Sequence, residues 1–163
     1  MVRQCLFIVG DSMSIFVTKS FRYSEFRCPC GCDKDRPLDP KLIYLLQSLR
    51  NKIDKPIYIS RGGGLRCKAY NKRIGGYPNS AHVFGKAVDI SVGDMRIIEL
   101  ARAAKDIGFS RIGLYPYNHF IHCDTVNPYR GSASWVRDVN GKYKYFKALE
   151  GAISVIKGEE DAG

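Results

Sequence analysis

The chain has 163 residues, of which 45% are hydrophobic and 26% are charged, and these values are typical of a soluble globular domain. The composition excludes a disordered, collagen-like or coiled-coil protein, and no apolar run reaches the roughly 18 residues of a membrane span. The net charge of +10 favours an anionic partner such as nucleic acid, acidic lipid or a cell-wall polymer. The length predicts a single domain.

The N-terminus has one positive charge and a short apolar patch that ends at Gly10 and Asp11. No small-residue cleavage site follows cleanly, so we expect a cytoplasmic start rather than a signal peptide. Residues 1–20 are predicted to form a loosely attached N-terminal extension.

Three of the six cysteines, Cys28, Cys30 and Cys32, are separated by single residues. Neighbours at this spacing rarely pair, so the pattern does not indicate a secreted disulfide framework. We expect free buried thiols or one bridge to Cys67. The alternative is a small structural zinc site with Cys67 or Cys5 as the fourth ligand, although the spacing differs from the usual C-x2-C.

Three helices are predicted in chain order. The first covers 39–53, with Asp39 as its N-cap and Pro40 in its first turn. The second covers about 66–73. The third begins at Asp94 and ends at Gly108, a residue type that favours a helix C-terminus.

Strand-like runs lie between and after these helices, at 56–60, 86–92, 111–115 and 119–124. Residues 137–163 are predicted to pack on the domain as a helix or strand and to end in a frayed acidic tail. Because helices and strands are interspersed with short connections, we predict an α+β domain with an antiparallel sheet packed against helices.

All three histidines lie near carboxylates. His82 precedes Asp89 by seven positions, and His119 and His122 precede Asp124 in the last predicted strand. Strand alternation places positions 122 and 124 on one face. A catalytic zinc needs three protein ligands and one open position, and His82, Asp89 and His122 meet this need if neighbouring strands bring them together. Histidines with a purely structural role are the alternative.

The pattern S-x-H-x-x-G-x-A-x-D-I over 80–90, followed by F-I-H-x-D over 120–124, resembles the zinc D-Ala-D-Ala carboxypeptidases and endolysin peptidases of the M15 type. Hedgehog signalling domains share that fold. The segments S-E-F at 24–26 and G-L-R-C at 64–67 extend the resemblance, which covers about 21–136. It is greatest for the small single-domain branch found in bacteria and phages.

The resemblance implies that His82, Asp89 and His122 are the zinc ligands. The family places a catalytic carboxylate three positions before the last ligand, where this sequence has His119. We favour His119 as the general base, since its ordinary pKa of about 6.5 suits neutral pH. Asp124 is the alternative base, or else a partner that orients the ligand.

The resemblance also implies that Arg66 holds a carboxylate of the substrate, because a guanidinium pairs with a carboxylate through two hydrogen bonds. Ser80 is expected to donate a hydrogen bond to the same carboxylate. A surface arginine and a serine that orders its loop are the alternatives. The glycines at 62–64 are expected to loosen the rim of the cleft beside Arg66.

The function implied is that of a zinc-dependent peptidase acting on peptidoglycan stem peptides, as a D-Ala-D-Ala carboxypeptidase or an L-Ala-D-Glu endopeptidase. The alternatives are a catalytically inactive, zinc-stabilised interaction or wall-binding module and a basic nucleic-acid binder, for which net charge is the only support. We expect a monomer that binds an anionic wall polymer, without a nucleic-acid partner or membrane span. It is expected to be synthesised in the cytoplasm, with a phage lysis system as a route of release to the cell wall.

Overall fold

The structure, a computed structural model, describes residues 16–32, 36–128 and 131–160, with side chains described as far as Gly158. These residues form an α+β domain, as predicted. The helices are α1 (Pro40–Ile53), α2 (Lys68–Arg73), α3 (Ile97–Ile107) and α4 (Leu149–Glu160). The strands are β1 (Tyr58–Ile59), β2 (Ala87–Ser91), β3 (Arg111–Tyr115), β4 (Phe120–Asp124), β5 (Ser134–Arg137) and β6 (Tyr143–Phe146).

The six strands form one sheet in the order β1-β2-β4-β3-β5-β6. All neighbours are antiparallel except β3 and β5, which are parallel. The sheet is therefore mixed, whereas the sequence suggested an antiparallel one. The reason is local: β4 ends opposite Arg111 at the start of β3. The next connection brings Ser134 to the same end of β3 but along its other edge, opposite Ile112, so β5 runs in the same direction as β3.

Helix α1 confirms the predicted start. The Asp39 carboxylate accepts a hydrogen bond from the Lys41 backbone N–H at 3.0 Å, and Pro40 occupies the first turn. One face of the helix is buried through four leucines at helical spacing, Leu42, Leu45, Leu46 and Leu49. The helix therefore forms because the capping residue and the apolar residues both favour a helix over the same part of the chain.

Helix α3 begins later than predicted. Its N-cap is Arg96, not Asp94. The Asp94 carboxylate instead accepts a hydrogen bond from Lys55 Nζ at 2.7 Å, so an ion pair with a distant segment replaces the local cap. Gly108 ends the helix as predicted, with a φ of 107°.

The two faces of the sheet have different roles. One face packs against the helices and contributes the core residues Val88, Ile90, Ile112, Leu114 and Ile121. On the other face, Asp89 lies opposite His122, which also lies opposite Gly113, and Gly113 lies opposite Trp135. Register thus places Asp89, His122 and Trp135 in one row on this face, with Gly113 between His122 and Trp135.

The C-terminal segment shares this sheet and core. Strand β6 pairs with β5, and α4 buries Leu149, Ala152, Ile153 and Ile156 in the common core cluster. Of the predicted N-terminal extension, residues 1–15 lie outside the described part of the chain, as do residues 161–163 of the predicted tail. No helix among the described residues is both long and apolar enough to cross a bilayer.

None of the described cysteines is disulfide-bonded; they are Cys28, Cys30, Cys32, Cys67 and Cys123. The predicted bridge from the Cys28–Cys32 segment to Cys67 is therefore not formed. The alternative expectation of free buried thiols is met at Cys28 but not at Cys30 and Cys32, which are exposed. Cys5 lies outside the described part of the chain.

Candidate metal centre

Three side chains converge on one buried point. His82 Nε2 lies 3.1 Å from His122 Nδ1 and 3.2 Å from Asp89 Oδ1, and His122 Nδ1 lies 2.9 Å from the same oxygen. Ligands bonded at about 2.0–2.1 Å to a tetrahedral zinc lie about 3.3 Å apart. The three ligands predicted from the sequence are thus buried and brought together, at separations close to those of a zinc site.

Two local features bring these donors together. Asp89 and His122 are directly opposite in the antiparallel pair β2–β4, so their side chains point to the same face. His82 lies in the 3-10 turn Ala81–Phe84. That turn ends at Gly85 with a φ of 67°, a left-handed conformation that glycine adopts without strain.

The outer hydrogen bonds of the two imidazoles determine which nitrogen faces the centre. His82 Nδ1 lies 2.8 Å from the Gly64 carbonyl oxygen, which can only accept, so Nδ1 carries the hydrogen and Nε2 presents its lone pair. His122 Nε2 donates to Asp124 Oδ2 at 3.0 Å, which leaves Nδ1 to face the centre. Two nitrogen acceptors and a carboxylate oxygen then meet at one point, a donor set that fits a zinc ion.

Asp124 is held in place by an arginine. Arg111 Nη2 donates to Asp124 Oδ2 at 2.6 Å, and Arg111 Nε lies 2.9–3.0 Å from both carboxylate oxygens. The Asp124 side chain is fully buried. The structure therefore gives Asp124 the position of a residue that orients His122, one of the two roles considered from the sequence.

The electrostatics of the centre favour a cation. Burial lowers the pKa of His82, which favours its neutral form. Burial opposes ionisation of Asp89 and Asp124, yet the histidines lower the pKa of Asp89, and His122 with Arg111 lowers that of Asp124. Burial likewise opposes a charge on His122, but hydrogen bonds with Asp124 and Asp89 raise its pKa to about 9. The point beside His122 Nδ1 thus attracts positive charge, which a metal ion supplies when it replaces a proton.

Arg66 lies beside the centre. Its Nη2 donates to Asp89 Oδ2 at 2.5 Å and its Nε donates to the Gly62 carbonyl oxygen at 2.5 Å. Asp89 thus uses one oxygen toward the histidines and the other toward Arg66. The Arg66 side chain is 15% exposed, so part of it reaches solvent at the edge of the site.

The glycines beside Arg66 do not loosen the rim. Gly62, Gly63 and Gly64 are buried, and the Gly63 carbonyl oxygen accepts a hydrogen bond from the Asp89 backbone N–H at 2.7 Å. A Cβ at Gly63 would lie 2.8 Å from the Asp89 Cβ. The expectation from the sequence was wrong because these glycines permit close packing: Gly63 lies against Asp89 of β2, and Gly64 lies against the Phe26 backbone.

Two other predicted site residues, Ser80 and His119, are not among the three converging donors. Ser80 precedes the turn that carries His82 and makes no side-chain capping hydrogen bond. His119 is exposed, with a φ of 54°, and lines a cavity with Met95 and Ile156. The structure does not bring His119 to the three converging donors, and this placement gives no support to its predicted role as general base.

The residues that surround His122 were not predicted from the sequence as part of the site. The Trp135 ring lies 5.1 Å from the His122 ring, and its Nε1–H donates to the Tyr115 hydroxyl at 3.2 Å. A Cβ at Gly113 would overlap the Trp135 indole. Positions 111, 113 and 115 share one strand face, which was the available signal, but the neighbour of β3 was unknown.

A buried His-Asp-His donor set on one face of an α+β sheet defines a zinc-binding domain. The chain belongs to the peptidase M15 family, whose sequence profile matches residues 16–124. The predicted resemblance is thus confirmed, and membership of this family supports a catalytic zinc ion at this centre.

Two relatives have names that bear on function. A zinc D-Ala-D-Ala carboxypeptidase of Streptomyces albus G is 38% identical over 71 residues, which cover 43% of this chain and 27% of the relative. A probable peptidoglycan L,D-endopeptidase, MepK of Haemophilus influenzae, is 30% identical over 94 residues, which cover 54% of this chain and 50% of the relative. The chain thus matches half or less of the length of each.

Proposed function

We propose that this protein is a zinc-dependent peptidase that hydrolyses amide bonds in peptidoglycan peptides. The observation that carries the proposal is the convergence of His82 Nε2, His122 Nδ1 and Asp89 Oδ1 within 3.2 Å of one another. The outer hydrogen bonds to Gly64 and Asp124 fix the orientation of both imidazoles. The names of the two relatives supply the substrate class.

The residues divide into those that hold the ion and those that support them. His82, Asp89 and His122 bind the zinc, which when bound acts as a Lewis acid toward a carbonyl oxygen and lowers the pKa of water. Asp124 keeps the hydrogen on His122 Nε2, and Arg111 keeps Asp124 ionised and in place. This support fixes the site before the substrate arrives, which favours catalysis.

Arg66 is proposed to have two contacts. Its Nη2 orients Asp89, while the exposed part of the guanidinium binds a carboxylate of the substrate. Both contacts use the guanidinium's fixed fork of donors. The net charge of +10 supports the predicted attraction to anionic wall polymers.

The surface beside the centre is aromatic. Tyr143 and Tyr145 are 47% and 63% exposed, and alternation places them on the same sheet face as Trp135, from which the Tyr145 ring lies 6.4 Å away. We propose that a peptide lies across this face with its scissile carbonyl at the metal centre. Aromatic side chains suit such contacts because they bury much area with few rotatable bonds.

The test is digestion of purified peptidoglycan by the full chain loaded with zinc, with the products identified by mass spectrometry. We expect free D-Ala from a D-Ala-D-Ala carboxypeptidase, or stem peptides cut after L-Ala from an L-Ala-D-Glu endopeptidase. A His122→Ala variant, which loses one ligand, is expected to release neither. Loss of turbidity of isolated cell walls in the same samples tests the predicted endolysin form.

The alternative is an inactive wall-binding module, and one observation favours it. Of the two predicted bases, His119 lies away from the converging donors and Asp124 is engaged by both Arg111 and His122. Stoichiometric zinc at the centre together with retention on peptidoglycan and no cleaved product would establish this alternative and refute the peptidase proposal.

A further inference from the structure

A second group of metal-binding side chains lies apart from the His-Asp-His donors. The Sγ atoms of Cys28, Cys30, Cys32 and Cys67, here called the cysteine cluster, all lie within 4.8 Å of one another. Cys30 Sγ is 3.2 Å from that of Cys28, 2.6 Å from that of Cys32 and 3.6 Å from that of Cys67. The cluster thus joins two segments that are 37 residues apart at Cys30 and Cys67.

The backbone is arranged to gather these sulfurs. Gly31 has a φ of 72°, and its N–H donates to the Cys28 carbonyl oxygen at 3.0 Å, so the chain reverses between the first and third cysteines. Cys67 is the residue before α2, and its Sγ accepts the Tyr70 N–H at 3.2 Å. Cys28 Sγ accepts the Cys67 N–H at 3.4 Å. Backbone donors directed at sulfur stabilise thiolates, the form that binds metal.

The separations fit a metal site better than disulfides. An S–S bond is about 2.05 Å long, and none of the four residues is disulfide-bonded. Four thiolates bonded at about 2.3 Å to a tetrahedral zinc lie about 3.8 Å apart, close to the distance between Cys30 and Cys67. The pair Cys30 and Cys32 has to separate by about one ångström, which is feasible because both residues are exposed.

We propose that Cys28, Cys30, Cys32 and Cys67 bind one structural zinc ion, separate from the zinc held by the histidines. Four protein ligands complete a tetrahedral shell and leave no open position for water, so this ion is structural rather than catalytic. Sulfur donors also select zinc over harder cations such as magnesium and calcium.

The proposed ion fastens the segment that carries Arg66. Leu65 N–H donates to the Phe26 carbonyl oxygen at 2.6 Å, and a Cβ at Gly64 would lie 2.5 Å from that oxygen, so the two segments are already in contact before Cys67. The ion would link Cys67, the residue directly after Arg66, to residues 28–32 through its sulfur ligands, and Arg66 Nη2 in turn holds Asp89. That positioning role rests on the proposed peptidase function, whereas metal binding by the cysteines does not.

The test measures metal content and cobalt spectra on the full chain, purified with reductant. We expect two zinc ions per chain in the unaltered protein. Replacement of zinc by cobalt is expected to give the intense near-ultraviolet charge-transfer band of thiolate–cobalt bonds. Cys30→Ser should lose one ion and the band, whereas His122→Ala should lose one ion and keep the band. Cys123→Ala, a variant of the buried core cysteine outside the cluster, should keep two ions and the band.

Two results would overturn the metal site. One is a cobalt-loaded unaltered chain without the thiolate band, a measurement that needs no variant to fold. The other concerns protein purified without reductant and then denatured. If its cluster cysteines do not react with a thiol reagent, they are paired as disulfides and do not bind zinc. If the band is present and peptidoglycan is not cleaved, the peptidase proposal fails and the cysteine site stands.

The positioning role has its own readout. The Cys30→Ser variant is compared with Cys123→Ala after confirming that it keeps the zinc bound by the histidines and an unchanged circular dichroism spectrum. We expect Cys30→Ser to have the lower kcat/KM for wall peptides. Equal kcat/KM values for the two variants would show that the cysteine site does not position Arg66.

Discussion

His122 is bounded by a carboxylate on each side of its ring. Asp89 lies 2.9 Å from Nδ1, on the metal side, and Asp124 lies 3.0 Å from Nε2, on the far side. Arg111 offsets the charge of Asp124 in the buried interior, where an unpaired carboxylate would be costly. The orientation of one ligand therefore depends on two residues that do not bind the metal.

Replacing Asp124 with Asn is expected to weaken the metal centre. The amide can still accept the hydrogen from His122 Nε2, but it loses the negative charge that strengthens this bond and pairs with Arg111. Removing such a supporting partner lowers metal affinity or activity by about 10–100-fold. Competition with a zinc chelator measures the affinity. Asp106→Asn, which removes only an exposed ion pair with Lys52, serves as the control and should leave affinity unchanged.

The His119→Ala variant tests whether His119, one of the two general bases predicted from the sequence, takes part in hydrolysis. Because His119 is exposed and lines a different cavity, we expect hydrolysis to continue at close to the original rate. A large drop in kcat with unchanged zinc affinity would contradict the placement and restore His119 as the general base.

At the scale of elements, β3 and β5 meet where a glycine lies below a tryptophan. The Trp135 indole occupies the space above Gly113 and lies 5.1 Å from the His122 ring. Arg111, on the same strand face as Gly113, lies with its guanidinium 5.9 Å from the Trp135 ring. The absence of a side chain at position 113 thus allows the next strand to cover His122.

Gly113→Ala is therefore expected to displace Trp135 and destabilise the fold by about 1–3 kcal/mol, the usual cost of overpacking. Trp135 is the single tryptophan of the chain, so a shift of its fluorescence emission reports the displacement directly. Urea unfolding measures the free energy. Gly93→Ala provides the control, since a Cβ there meets nothing within 4 Å. Equal effects of the two substitutions would contradict the packing argument.

Local signals predicted most elements but not how they pair. Asp39 and Pro40 identified the start of α1, and Gly108 the end of α3, because capping depends on residues next to each other in the chain. The start of α3 was wrongly placed at Asp94, because the Asp94 carboxylate binds Lys55, which is 39 residues away in the chain. His82, Asp89 and His122 were identified with the help of a family resemblance. The role of Arg111 was not predicted, since its contact with Asp124 depends on the register of β3 with β4.

At the scale of the whole molecule, the site depends on a core that includes the C-terminal helix. Helix α4 packs against β5 and α3, and Ile153 is 1% exposed in the same core cluster as Ile112 and Leu114 of β3. Strand β5 carries Trp135 on its opposite face. Helix α4 therefore packs against the face of β5 opposite to the face that covers the metal centre.

Ile153→Ala is accordingly expected to lower the free energy of unfolding by about 2–5 kcal/mol, through lost burial and a cavity between α4 and the sheet. Calorimetry or urea unfolding in the presence of saturating zinc measures this loss. Ser154→Ala, on the exposed side of the same helix, is the matched control and should change stability by less than about 0.5 kcal/mol. If α4 were a separate appendage, Ile153→Ala would leave the main unfolding transition and the Trp135 emission unaltered. A shift of both together would show that residues 149–158 fold as one cooperative unit with the metal-binding sheet.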